Sequence, residues 1–195
     1  MNFHPLGICL SVTVFFALAA TAATQSAIAD TQGERERTHL GKQHSGELVR
    51  AVRDATRRFH DVNQAKAEGY QLLFGCVSGP DDGAMGLHYV NLGLVADGIL
   101  DPKRPEIVIY EPLPNGKLKL IGADYLVDAA QWHAKHGKVQ PQIMGQLLHL
   151  FEAPNRFGLD PFYTLHVWAW KDNPTGTFVN WHANVSCDAF PGDPD

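Results

Sequence analysis

Between Phe162 and Cys187 the chain reads FYTLHVWAWKDNPTGTFVNWHANVSC. This stretch carries three of the four tryptophans, two histidines and a cysteine. Phe162, Thr164, His166, Trp168 and Trp170 fall on one strand parity and Tyr163, Leu165, Val167 and Ala169 on the other, the pattern of a strand buried on both faces. Asp172 to Gly176 is turn chemistry, so the run from Thr177 to Cys187 is expected to return as the second strand of a β-hairpin. A chain with such a segment needs a sheet to bury it in.

Residues 1–29 contain no Asp, Glu, Lys or Arg, and an apolar core from Leu6 to Ala23 ends near Ala27-Ile28-Ala29. The pattern predicts a signal peptide over 1–29; a single membrane-anchoring helix is the alternative, but the small-residue end from Ala19 to Ala29 favours cleavage, with no stable membrane insertion afterwards. About 166 residues then remain, enough for one domain to bury roughly 70% of its unfolded surface without help from a metal or partner. The net charge of −5 provides no basic face for a polyanion, which argues against nucleic acid. Cys76 and Cys187 form an even pair in an exported chain, and a disulfide between them is expected.

Asp30 to His44 is polar without apolar spacing and reads as a flexible lead-in (30–44), followed by a single α+β domain (45–187) and a Pro/Gly/Asp-rich tail (188–195). Ser45 would cap an amphipathic helix in which Leu48, Val49, Val52, Ala55 and Phe59 recur at helical spacing. Asp61 would cap a short helix closed by Gly69. Tyr70 to Val77, Leu87 to Asn91 and Glu106 to Glu111 read as strands. The segment 106–127 is expected to be a hairpin turning at Asn115-Gly116, with a bulge at Gly122. Asp128 would cap a helix to His136, whereas 142–151 suits helix or strand equally. The expected fold is therefore α+β: a mainly antiparallel, curled sheet or partial barrel with two to three covering helices.

The segments CVSGPDDGAMGLHYVN, DGILDPKRPEIVIYEP and FYTLHVWAWKDNPTGTF together resemble a group of small exported bacterial proteins of uncharacterised function, over roughly residues 55 to 187. The resemblance implies an exported single domain with His88 and His166 in place. Two positions depart from that group's pattern: Asp124 stands where Glu is expected, and Trp181-His182-Ala183 where Trp-Asn-Pro is expected. The second departure makes His182 the weakest candidate for a shared functional group.

The chain has no H-E-x-x-H, G-x-S-x-G, C-x-x-C or glycine-rich phosphate loop, so no sequence signature names a reaction. Three histidines, His88, His149 and His166, lie in apolar runs, where a buried imidazole needs a partner. Each alone would satisfy itself on a backbone carbonyl or a carboxylate. Together with Glu111 they could instead make an open zinc or copper site on one face of the sheet, whose affinity would fall near pH 6.5 as the imidazoles take up protons. Met85 adds a soft copper ligand, although three methionines do not make a methionine-rich carrier. Tyr89, Trp168 and Trp170 are the candidate walls of a small-ligand pocket beside His166. His133 and His136 read as exposed residues at a helix end. These features point to a periplasmic or extracellular protein that binds a metal ion or small molecule. The alternatives are a metal-dependent enzyme using the same cluster, with Glu111 or Asp124 as acid or base, and a purely structural or interaction domain.

Overall fold

The computed structural model describes residues 1, 17–79 and 81–192, and falls into two compact units, Met1–Lys42 and Gln43–Asp195. Most of the expected signal segment, residues 2–16, lies outside the described residues. Helix α1 spans Ala17–Thr56, so the stretch expected to be a flexible lead-in is helical and Ser45 lies inside a helix instead of capping one. Glu34 to Arg37 are good helix formers, and intrinsic propensity needs no apolar stripe to act. Among the described residues no helix is long and apolar enough to cross a membrane.

In the second unit, six strands form one antiparallel, half-barrel sheet. They are β1 (Gln71–Ser78), β2 (Ala84–Val90), β3 (Ile107–Pro112), β4 (Leu118–Asp128), β8 (Phe162–Val167) and β7 (His149–Phe151), paired in that order. The ambiguous 142–151 segment resolves into extended chain: β5 (Gln142–Ile143) and β6 (Gln146–Leu147) pair with each other, and β7 takes the sheet edge beside β8. A 3-10 turn (Arg57–His60) and α2 (Val62–Ala67) lead from α1 into β1, and α3 (Leu92–Asp97) and α4 (Ala129–His136) lie between strands. Two caps form as their sequences predict, with Asp61 accepting from Asn63 N and Asp128 from Gln131 N.

Strand alternation sorts the core into two faces. Leu48 and Val52 of α1, both fully buried, pack on Ala123, Tyr125, Val127, Tyr163, Leu165 and Val167. Phe59 packs with Leu87, Tyr89, Val108 and Tyr110 on the same helix-covered side. The opposite face carries Val90, Ile107, Ile109 and Ile121, and with them His88, Asp124 and His166.

The expected hairpin from 162 to 187 does not form. After Val167 the chain leaves the ladder, and Thr177 to Cys187 crosses the sheet as a loop touching it at few points. Trp168 N donates to Thr177 O, Trp168 Nε1 to Val179 O, and Ala84 bridges His182. Polar side chains within the loop compete with strand pairing: Asn173 donates to Trp181 O and Asn184 N donates to His182 Nδ1. Trp170 consequently loses the parity it would share with Trp168. It turns to the helix side, where its Nε1 donates to Thr56 Oγ1 and Arg53 lies over its ring.

Cys76 and Cys187 are bonded, with Cα atoms 5.7 Å apart, and the bridge ties this C-terminal loop to the edge strand. It closes a span of 111 residues, which chain-entropy reasoning values at roughly 4 to 5 kcal/mol. The double variant Cys76→Ser/Cys187→Ser is expected to unfold at a lower urea midpoint than the oxidised protein while still folding, because the core does not depend on the bridge. Unchanged midpoints would show that the unfolded chain is not restrained by it.

Candidate metal centre

The centre is built by three strands that are not all neighbours. His88 sits on β2 opposite Ile109 of β3, Ile109 lies opposite Gly122 of β4, and Asp124 lies opposite His166 of β8. Three strand steps separate β2 from β8, about 14 Å in a flat sheet. Yet the two Nε2 atoms are 3.3 Å apart. Only a sheet curled toward this face brings them together.

Two glycines permit that approach. The register of β3 against β4 slips between Ile109 and Tyr110, leaving Ile121 as the extra residue of a bulge next to Gly122. A Cβ on Gly122 would lie 2.6 Å from the Val167 carbonyl oxygen, so β8 closes against bare backbone there. Gly86, at φ +84°, directs its carbonyl oxygen to His88 Nδ1 at 3.1 Å, and a Cβ there would meet Tyr110 O at 2.6 Å. Gly122→Ala is therefore expected to cost about 1 to 3 kcal/mol by prising β4 from β8, and to displace Asp124, two residues on, and His166, the neighbour of Val167 on β8. Urea unfolding together with the amide shifts of 123–125 and 165–167 checks this, and wild-type values for both would contradict it.

His88, Asp124 and His166 are all buried, and one ligand atom from each lies within 4.8 Å of the others. Such a group could hold a metal ion. Asp124 Oδ1 accepts from Thr164 Oγ1 at 2.6 Å and Leu165 N at 3.0 Å, and lies 3.8 Å from His166 Nδ1. Burial, reinforced by His166 nearby, depresses the His88 pKa to about 4. Burial likewise takes His166 to about 3, with His149 adding to the depression and Asn180 opposing it. Burial raises Asp124 to about 6 against the pull of its Thr164 hydrogen bond. Both imidazoles are therefore neutral at pH 7.

Hydrogen-bond accounting then singles out His166. His88 donates Nδ1–H to Gly86 O, so its Nε2 carries a lone pair aimed at His166. Without an ion, His166 must donate Nε2–H to it, which leaves a bare lone pair on His166 Nδ1, 3.8 Å from Asp124 Oδ1. That Nδ1 is buried and makes no hydrogen bond of normal geometry, and neither does the buried Asn180 Oδ1.

Of the residues expected at the site, only His88 and His166 meet. Glu111 shares their strand parity but lies two pairs further along β3 than Ile109, toward the hairpin end, where it binds Lys171. His149 lies opposite Thr164 on the edge strand, with its side chain exposed in a surface depression beside Asp81, Asp82 and Asn180. The third member of the group is Asp124, considered in the sequence only as an acid or base. The signal that could have found it is a lone carboxylate inside the apolar run LIGADYLV, since a buried charge requires a partner.

A cavity of about 40 Å³ adjoins the group. Its polar lining is His88, Asp124, Thr164 and His166, and its apolar lining includes Met85, Ile107, Leu126 and four phenylalanines. Tyr89, Trp168 and Trp170 do not line it. Tyr89 points into the helix-side core, Trp168 packs edge-on against His182 with its ring 5.6 Å from that of His166, and Trp170 faces α1. His133 is not simply solvated either, for its Nε2 contacts the Tyr163 hydroxyl at 3.0 Å. Comparison with known proteins finds no matching family, no similar curated protein and no similar solved structure.

Proposed function

We propose that this chain is an exported protein that binds one divalent metal ion, zinc or copper, through His88 Nε2, His166 Nε2 and an Asp124 oxygen. The observation that carries the reading is the pair of imidazoles facing each other through Nε2 at 3.3 Å while His166 Nδ1 has no partner. Two nitrogens bound about 2.0 to 2.1 Å from a tetrahedral ion lie roughly 3.3 to 3.4 Å apart. With both Nε2 lone pairs on an ion, His166 carries its proton on Nδ1 and offers it to Asn180 Oδ1, so both buried atoms gain a partner and the ring is held with Nε2 toward the ion. His88 is already oriented the same way by Gly86 O. Two neutral imidazoles and a carboxylate suit zinc or copper, and Met85 adds a soft thioether on the cavity wall. Export is supported by the charge-free, apolar N-terminal segment and by the disulfide, which persists in oxidising compartments.

The pH dependence differs from that of exposed histidines. The imidazoles are neutral well below pH 6.5, so protons compete with the ion first at Asp124, held at about 6. Affinity is therefore expected to be level from pH 8 to about 6.5. Below pH 6 it should fall about tenfold per unit, and more steeply below about 4 as His88 protonates. Calorimetric titration of metal-free protein with zinc and with copper at pH 7.5, 6.5 and 5 tests the reading. One ion per chain with this profile supports it, whereas no saturable binding at pH 7.5 rejects it.

A further inference from the structure

The cavity beside the centre is far smaller than an organic cofactor needs. An engineered apolar cavity that accepts benzene measures about 150 Å³, and one water needs about 10 to 15 Å³. At about 40 Å³ this space takes two or three heavy atoms. Apart from the three groups of the centre, its one polar lining residue among those described is Thr164, whose hydroxyl is already committed to Asp124. Among the described residues no lysine or arginine lines it, so an anion would find no countercharge on the walls.

Its mouth is aromatic. Phe151 stacks on Phe162 at 5.2 Å, Phe157 stands 6.3 Å from Phe162, and Phe74 closes the series 5.4 Å from Phe157. Phe74 is the anomaly. β1 pairs with β2 at Leu73 and next at Cys76, so Phe74 and Gly75 form a two-residue bulge on an edge strand, across from His88. Both have left-handed backbone, at φ 65° and 64°. A bulky residue held there costs on the order of 1 to 2 kcal/mol, and Phe74 leaves 47% of its surface exposed. Core packing does not explain a strained, half-exposed phenylalanine. Its place at the cavity mouth does.

We infer that this cavity receives an uncharged molecule of two or three heavy atoms, the size of dioxygen, which enters past Phe74 and is held beside the His88, Asp124 and His166 centre. The inference rests on the metal reading only for what the molecule meets inside; the apolar cavity and its phenyl door stand without an ion.

The probe is xenon, applied under pressure to the protein carrying methyl-labelled Ile, Leu and Val, in metal-free and zinc-loaded samples. Saturable shifts are expected for the methyls of Val90, Ile107, Leu126 and Leu159, which line the cavity, and not for those of the helix-side core. Leu126→Phe, or Leu159→Phe should the first not fold, is expected to fill the space and abolish the shifts. Phe74→Ala should accelerate exchange of the gas severalfold. Absence of shifts in the wild type, or persistence of the same shifts in a folded filling variant, overturns the inference. So does a cobalt-loaded sample whose visible spectrum responds to azide while the cavity excludes xenon, which would mark an anion site. Zinc content of the same samples keeps the two readings apart: xenon binding without bound zinc upholds the cavity and rejects the metal centre, and zinc without xenon does the reverse.

Discussion

His166→Ala is expected to lower zinc and copper affinity at pH 7.5 by on the order of 100-fold or more, since removing even a group that only hydrogen-bonds to a ligand typically costs 10- to 100-fold. His88→Ala should do the same. Each variant removes one of the two Nε2 atoms that face each other at 3.3 Å, and neither neighbour can replace it, because Trp168 has only a donor nitrogen and Thr164 is hydrogen-bonded to Asp124. Asp124→Asn preserves the shape and an oxygen acceptor for Thr164 but loses the charge. It should weaken binding while removing the fall in affinity below pH 6 that the carboxylate causes. Glu111→Gln and His149→Ala serve as controls, because Glu111 is engaged by Lys171 and His149 faces solvent on the edge strand. Calorimetry on all five variants decides the matter. Equal affinities for wild type, His88→Ala and His166→Ala would reduce the pair to a buried hydrogen bond between two histidines.

Glu106→Gln is expected to stabilise the protein at alkaline pH. Glu106 is fully buried; Oε2 accepts from Leu126 N at 3.1 Å, and Oε1 has no partner. Burial raises its pKa from 4.5 to about 8, opposed by backbone donors from its own amide and Leu126, and assisted by the charges of Asp124 and Asp97. A carboxyl group held neutral in the fold contributes fully below its unfolded pKa, and the contribution is lost as pH rises from about 4.5 to 8. The loss reaches on the order of 4 to 5 kcal/mol at 1.36 kcal/mol per unit. A glutamine cannot ionise, so the variant should match wild type near pH 4.5 and exceed it progressively up to pH 8. His88 and His166 act in the opposite direction: their depressed values mean that stability falls as pH drops below 6.5. The difference between variant and wild type isolates Glu106. Urea midpoints from pH 4.5 to 9 measure it, and parallel profiles would mean that Glu106 reaches water.

Local chemistry was legible from the sequence wherever one short stretch contained the whole cause. Asp128 caps α4 because the donor it meets is three residues away. Asn115-Gly116 turns the β3–β4 hairpin and Gly122 marks its bulge, because turn geometry and register are set within one hairpin. Burial of His88 and His166 followed from their apolar neighbours, and the curled antiparallel sheet from the strands and turns taken together. The 162–187 hairpin failed for the same local reason that suggested it: periodicity shows that a run is apolar, not whether its backbone bonds will be made by a partner strand or by Asn and His side chains nearby. The composition of the site lay beyond any such reading. His88 and His166 are 78 residues apart, and what joins them is the curl of β2, β3, β4 and β8. The choice of Asp124 over Glu111 was decided by strand order and by β4–β8 register, since Asp124 on β4 falls opposite His166 whereas Glu111 lies on β3, one strand removed from β8. Sequence supplied buried groups that needed partners, and the tertiary fold assigned the partners, because register and curvature are properties of the whole sheet and belong to none of its strands alone.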